Sequence, residues 1–349
     1  MTPAFILGSG RCGSTLVSQI LRLHPGILSL SEVFSTAGAR AFPKRALTGP
    51  AFWRAMGQPD RLGSALGNPH RAPNEFLYGR QKGNRFDPFA CPPLLQVALP
   101  HLTDQPDLLF EELQKQALTW PFQGIQHHYL ALFSALQERF GPLVPVERSG
   151  GSLVAAATLT RLFPGSRYVL LHRAGADTVL SMCDYPAARL ALFVWRHFGT
   201  VRLDFLSPDG HYGRGRIWPL LQRGSRLLPL QRILDSPPDP VQMARFWSVM
   251  MQRGCDALRL LPDDQLMLLE YEALVARPEE NLAQLGIFLA GEAPGAWLGA
   301  ASALPQLRPS RLARLPAADR AGLIEACQPG EDAFAELRQA RRSGSGFKL

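Results

Sequence analysis

Short apolar runs alternate along this chain with longer stretches whose apolar residues recur every three or four positions. Ala4-Phe5-Ile6-Leu7 is a run of the first kind; it ends in Gly8-Ser9-Gly10 and reads as a buried strand entering a loop. From Ser14 to Leu23 the residues Leu16, Val17, Ile20, Leu21 and Leu23 fall at helical spacing, and Pro25-Gly26 stops that helix. The same periodicity predicts helices over 126–140, from Ser152 to Phe163, from Val241 to Leu261 and from Pro278 to Leu289. Tyr168-Val169-Leu170-Leu171 and Gln265 to Glu270 read as further strands. Short apolar strands alternating with helices imply a parallel sheet covered on both faces.

Two stretches interrupt the pattern. Residues of about 36 to 110 are rich in Pro, Gly and Arg with weak periodicity, and residues 200–240 carry Arg202, Arg214, Arg216, Arg223, Arg226 and Arg232. Long irregular stretches in a compact enzyme serve as lids or substrate loops. The expected organisation is therefore one α/β domain over 1–340 whose two insertions shape a pocket, with a loose tail over 341–349. No internal repeat is present.

Composition narrows this only a little. At 349 residues, with 46% hydrophobic and 19% charged residues, the chain has the make-up of an ordinary globular protein able to bury a large core. The net charge of +8 is carried almost wholly by arginine. Such a surplus fits nucleic acid, acidic polymers or a polyanionic cofactor, and charge alone does not choose between them. Arginine's planar fork leans towards phosphate and sulfate, although GC-rich coding produces the same bias. The cysteines Cys12, Cys91, Cys183, Cys255 and Cys327 are scattered and odd in number, which argues against a disulfide framework or a zinc site. No apolar run approaches the roughly 18 residues of a membrane span, and the first strand begins too early for a signal peptide. A cytoplasmic enzyme is the expectation.

The strongest local signal is Gly8-Ser9-Gly10-Arg11-Cys12-Gly13-Ser14-Thr15, set between a strand and a helix. Glycines let the backbone curl so that successive N–H groups converge on an anion, and the helix N-terminus adds its dipole. The string nearly satisfies the phosphate-loop pattern G-x-x-x-x-G-K-[ST], but Ser14 stands where lysine belongs and the basic residue comes earlier, at Arg11. Nucleoside triphosphatases use that lysine together with Mg²⁺. A loop without it points to a single 5′-phosphate and its sulfate; a tight turn with no ligand is the bland alternative. A cysteine phosphatase would need arginine six residues after Cys12, and that position is Ser18.

Arg11-Cys12-Gly13-Ser14-Thr15, with Leu23-His24-Pro25 and Ser31-Glu32 beyond it, resembles the PAPS-dependent sulfotransferase superfamily. PAPS is 3′-phosphoadenosine-5′-phosphosulfate. The likeness is to the bacterial branch similar to tyrosylprotein sulfotransferases, whose loop reads R-[ST]-G-[ST]-T and cradles the 5′-phosphosulfate. Cys12 replaces the Ser or Thr of that pattern, which removes one hydroxyl contact but not the backbone cradle. The resemblance implies that Glu32, about twenty residues beyond the loop's basic residue, is the catalytic base. A carboxylate that takes the acceptor's proton makes its oxygen a better nucleophile. Taken alone, Glu32 is also what a helix start after Ser31 carries.

The resemblance continues through two more blocks. In Glu147-Arg148-Ser149-Gly150, Arg148 occupies the place of a family lysine that stabilises the transferring sulfuryl, but without the proline that usually follows. Leu170-Leu171-His172-Arg173, with Ser181 eight residues on, is similar to the family's 3′-phosphate signature; the aspartate usual after the arginine is Ala174 here. Trp247, then Glu270-Tyr271-Glu272, Pro278 and Phe288-Leu289 resemble a third family block in which Tyr271 lies near the adenine. Arg308, Ser310 and Arg311 fall where a late, variable loop closes on the 3′-phosphate. The likeness covers about residues 4–35 and 145–290.

What it implies is a P-loop-kinase-like parallel sheet and in-line sulfuryl transfer from PAPS to a hydroxyl acceptor. Arg11, Cys12, Gly13, Ser14 and Thr15 would hold the phosphosulfate, Arg173, Ser181, Tyr271 and Arg308 the rest of the nucleotide, with Glu32, Arg11 and Arg148 catalytic. No metal, nucleic acid or membrane span is called for. The acceptor stays open among a small molecule, a glycan and a tyrosyl group. The rivals are a Mg²⁺-dependent phosphotransferase, which needs the missing lysine, and a nucleotide- or RNA-binding module, which accounts for charge but not for the ordered blocks.

Overall fold

The computed structural model describes residues 2–71, 75–80, 83–199, 204, 206–207, 228–307 and 309–344. Its centre is a five-stranded sheet, all parallel, in the order β2-β3-β1-β4-β5. The strands are β1 (Ala4–Gly8), β2 (Ile27–Ser31), β3 (Val144–Arg148), β4 (Arg167–His172) and β5 (Leu266–Glu270). This is the expected α/β class with P-loop-kinase-like strand order.

Period-two alternation along each strand builds two cores, one per face. Phe5, Leu7, Leu28, Leu30, Tyr168 and Leu170 point to one side, under the helices Ile125–Phe140, Ala156–Leu162, Pro240–Arg259 and Ala317–Gly344. Ala4, Ile6, Ile27, Val146, Val169 and Leu171 point to the other, under α1 (Ser14–Arg22), Pro278–Ala290 and Gly295–Ser302. Strands buried on both faces carry side chains each worth about 1.5–3 kcal/mol, so the sheet is a firm platform for whatever its ends present.

The helices and strands expected from periodicity are present, within a residue or two of the anticipated ends, with one exception. The helix expected from Ser152 opens as a 3₁₀ turn over Ser152–Ala155 and becomes α-helical at Ala156. Two strands had given no signal. β2 contains Ser29 and Ser31, which break the apolar run, yet both are buried and bonded: Ser29 Oγ donates to the Ser18 carbonyl at 3.2 Å, and Ser31 Oγ accepts from Arg148 at 2.5 Å. β3 lies inside the sheet although it contains Pro145 and ends in Glu147 and Arg148, all features that speak against a central strand.

The stretch 36–110 is not irregular throughout. It contains α2 (Val33–Ala37) at its edge and then the helices Gly49–Gly57, Arg61–Leu66, Ala98–Leu102 and Pro106–Ala117. Pro and Gly there punctuate short helices: Thr48 Oγ1 and an Asp60 carboxylate oxygen cap two of them. Of 200–240, residues 230–235 form a helix, while Arg202, Arg214, Arg216, Arg223 and Arg226 lie outside the described residues. The C-terminal helix runs through Arg341, which is not loose: it donates to Asp263 at 2.7 Å and to the Leu261 carbonyl at 2.7 Å. Among the described residues, no helix is long and apolar enough to cross a membrane.

Candidate active site

Each strand's carboxyl end delivers residues to one region, as open α/β sheets do. β1 leads into the loop Ser9–Gly13, β2 into Glu32, β3 into Arg148–Gly151, β4 into Arg173 and β5 into Tyr271. A cleft of about 860 Å³ opens there, lined at one end by Arg11, Ser14, Thr15, Glu32, Arg173 and Tyr271.

The loop folds as the glycine pattern requires. Gly10 (φ 80°), Arg11 (φ 59°) and Gly13 (φ 96°) take left-handed backbone, and α1 starts at Gly13 without a side-chain cap. The uncapped first-turn N–H groups sit beside the cleft-lining Ser14 and Thr15. Gly13 admits no side chain: a Cβ there would stand 2.4 Å from the Tyr271 ring. Cys12 turns the other way, fully buried against Gly8, and burial pushes its thiol above the ordinary value. Its contribution to the loop is backbone only.

Among the described residues, Arg11 and Glu32 are the two non-glycine positions with positive φ. Such backbone is uncommon for these residue types and costs on the order of 1 kcal/mol or more, so it persists only where the surroundings enforce it. For Glu32 they do. Its N–H donates to the Arg148 carbonyl at 2.8 Å, and its carbonyl accepts from Thr36 Oγ1 at 2.7 Å. One carboxylate oxygen pairs with the Arg148 guanidinium; the other accepts from Gly150 N–H at 2.9 Å and from the Ser35 hydroxyl.

Arg148 is 4% exposed and does not reach the cleft wall. Besides Glu32 it binds Ser18 Oγ through Nε (2.6 Å) and Ser31 Oγ (2.5 Å). It stands behind the carboxylate and fixes where that carboxylate points. On the opposite face of β3, Glu147 accepts from Val33 N–H at 3.1 Å and Ser149 Oγ at 2.6 Å, while Oε2 has no partner. Burial lifts its carboxyl to about 8, with the Glu32 charge adding to the rise.

Arg11 reaches across the cleft. Its Nε donates to Ser181 Oγ at 3.1 Å, a terminal nitrogen pairs with Glu75 at 2.5 Å, and the guanidinium lies over the Tyr185 ring at 5.1 Å. Arg173 donates to the Arg11 carbonyl at 3.5 Å and lies over the Tyr271 ring at 4.9 Å. Arg11, Ser181 and Arg173 thus form one cationic corner, with Tyr271 stacked beneath it.

Ser310 and Arg311 are engaged elsewhere. Ser310 Oγ and the Arg311 N–H both donate to Asp177 at 2.9 Å, and the Arg311 side chain pairs with Asp184 at 2.6 Å. They clasp the outer side of the helix Gly175–Cys183. Arg308 lies outside the described residues.

No protein-family model matches the chain, and no curated protein does. Solved structures are similar to it. Three of them are sulfotransferases. One is the sulfotransferase domain from the curacin biosynthetic pathway, with 16% identity over 97% of this chain and 98% of that one and a TM-score of 0.47. The sulfotransferase domain from the Synechococcus olefin synthase is 16% identical over 100% and 96%, with a TM-score of 0.44. A sulfotransferase from Mycobacterium avium is 15% identical over 96% and 75%, also with a TM-score of 0.44.

The structure adds residues that sequence reasoning passed over. Glu75, in a segment without periodicity, gave no signal. Tyr185 precedes Pro186 at a helix junction and could have been read as a lining residue there. Burial, with Glu32 and Glu75 nearby, pushes its phenol up, which keeps it a neutral O–H. Carboxylates from far along the chain meet the start of the helix that follows Arg173. Ala174 N–H donates to Glu272 at 3.0 Å and Gly175 N–H to Glu331 at 2.6 Å, so two distant carboxylates cap the helix that follows Arg173. Burial opposes charge on Glu331, but His172 at 3.0 Å and the Gly175 N–H hold its carboxyl below the ordinary value.

Proposed function

We propose that this chain transfers a sulfuryl group from PAPS to the hydroxyl of an acceptor. The observation that carries the reading is the shared cleft: an anion loop with a cationic corner stands beside a carboxylate held in left-handed backbone. The glycine loop fits a phosphosulfate: Gly10 and Gly13 hold the left-handed backbone of the turn, Gly13 has no room for a Cβ beside Tyr271, and the uncapped start of α1 supplies donors.

Glu32 takes the acceptor's proton as the acceptor oxygen bonds to sulfur. The bond from sulfur to the bridging phosphate oxygen breaks, and the electron pair leaves with 3′-phosphoadenosine-5′-phosphate. Arg11 and the loop amides hold the charge that gathers on that oxygen. Arg148 holds the Glu32 carboxylate in place, Arg173 and Ser181 receive the 3′-phosphate, and Tyr271 floors the nucleotide. Ser14 in place of the loop lysine speaks against a triphosphate donor.

Transfer of labelled sulfuryl from PAPS into a mixture of hydroxyl compounds tests this. Glu32→Gln is expected to lower turnover by about 10²- to 10⁴-fold while 3′-phosphoadenosine-5′-phosphate still binds. Full activity in that variant, or transfer from ATP–Mg²⁺ instead, overturns the proposal.

A further inference from the structure

The charged lining of the cleft is confined to one end. Arg11, Glu32, Glu75 and Arg173 are its four charged side chains among the described residues, and contacts tie each to the loop. Glu75 and Arg173 touch Arg11, and Glu32 binds Gly150 beside Gly10, where a Cβ would come within 3.3 Å of Gly151 N. Beyond Tyr185 and Met182 the cleft continues as an apolar limb.

Its wall is a stripe on the helix Pro186–Gly199: Ala187, Leu190, Ala191 and Val194 recur at helical spacing and face the cleft. Leu62 and Leu66 come from the helix Arg61–Leu66, while Phe246 and Met250 come from Pro240–Arg259. Leu190 and Val194 also belong to a small buried cluster with Leu230 and Leu234, separate from the two main cores. This limb is thus assembled from the first interrupting stretch and the two helices that flank the second.

Among the described residues, Arg11 and Arg173 are the arginines that line the cleft, and both are tied to the loop. Arg189, on the helix Pro186–Gly199, is spent on the Cys183 and Leu234 carbonyls at 2.7 and 2.8 Å. In the first insertion, Arg40 pairs with Asp60, Arg71 with Asp235 and Arg85 with Glu111. A sulfated glycan or an acidic peptide would meet no cation in the described limb and would lose its hydration there.

We infer that the acceptor is an uncharged alcohol with an apolar body: its hydroxyl sits at Glu32 and its carbon skeleton fills the limb walled by Leu62, Leu66, Ala187, Ala191 and Val194. This rests on the sulfuryl-transfer reading above. Ala187 and Ala191 set the room available, because as the smallest side chains of the stripe they leave the space that a larger residue would take.

The experiment measures labelled sulfuryl transfer from PAPS to straight-chain primary alcohols of increasing length, and beside them to glucose, a sulfated disaccharide and an acidic tyrosyl peptide. Binding of 3′-phosphoadenosine-5′-phosphate is measured on the same preparations. kcat/KM is expected to rise by roughly fourfold per methylene, which corresponds to about 0.8 kcal/mol, until the limb is filled. Ala191→Phe is expected to lower kcat/KM for the long alcohols at least tenfold while the bisphosphate binds as before. Preference for the sugar or the acidic peptide, or no dependence on chain length, overturns the acceptor class while leaving the transfer reading in place. Loss of bisphosphate binding in the wild-type protein removes the transfer reading itself, and this inference with it.

Discussion

Two arginine–glutamate pairs flank the cleft, and they differ in everything except their chemistry. Arg148 and Glu32 have side chains 5% and 19% exposed and share their bonds with Ser18, Ser31, Ser35 and Gly150. Arg11 and Glu75 are 32% and 27% exposed, and among the described residues Glu75 pairs with Arg11 alone. The first pair is a scaffold, because both of its side chains hold further partners. The second is exchangeable: solvent-reached ion pairs are worth about 1 kcal/mol or less, and a polyanion offers Arg11 a stronger partner. Burial and neighbours, not residue type, separate a positioning pair from one that a ligand can displace.

Removing the arginine from each pair would break the comparison most sharply at Arg148. Arg148→Ala leaves Glu32 without its cation and two buried hydroxyls without a donor, so stability is expected to fall by about 3–5 kcal/mol in denaturant unfolding. Arg148→Lys should recover part of the stability but less of the turnover, since one ammonium does not reach all three partners. A stability loss below about 1 kcal/mol for the alanine variant would place Arg148 outside the scaffold.

Glu147 sharpens the same point through pH. Its carboxyl, lifted to about 8, stays protonated in the folded chain while the unfolded chain releases that proton near 4.5. The folded state therefore binds more protons across this window, and stability falls as pH rises from about 4.5 to about 8. Between pH 5.5 and 8.5 the melting temperature of Glu147→Gln is expected to drop less than that of the wild type by a few degrees. Parallel curves for the two proteins would mean that Glu147 is ionised when folded.

The smallest effect belongs to the exposed pair. Glu75→Gln frees Arg11 and is expected to tighten 3′-phosphoadenosine-5′-phosphate by about two- to fivefold at low salt, with the gain shrinking as salt is added. Weaker binding would show that Glu75 supports the loop instead of competing for it.

How legible these features were follows from how local their causes are. The loop, Glu32 and Arg173 stand out because each sits at a strand end within a short run of residues whose order carries the signal. β2 and β3 stayed hidden because polar residues in them meet groups far along the chain, Ser31 meeting Arg148, Ser29 meeting His101 and Glu147 meeting Val33. The engaged state of Arg148 was equally out of reach, since its three partners come from α1, β2 and the residue after β2. Glu75, Glu272 and Glu331 act on residues that precede or follow them by dozens of positions. Side chains that meet only through the fold leave no spacing to read.

The central claim is that one cleft binds a nucleotide through its 3′-phosphate and its 5′-phosphate together. Calorimetric titration with 3′-phosphoadenosine-5′-phosphate, beside ADP and ATP–Mg²⁺, on the wild type and Arg173→Ala tests it most directly. The account predicts metal-independent binding of the bisphosphate over both competitors, weakened by about 10- to 100-fold in Arg173→Ala as a charge-assisted contact of about 1.5–3 kcal/mol is lost. Preference for ATP–Mg²⁺, or bisphosphate binding that Arg173→Ala leaves unchanged, would contradict it.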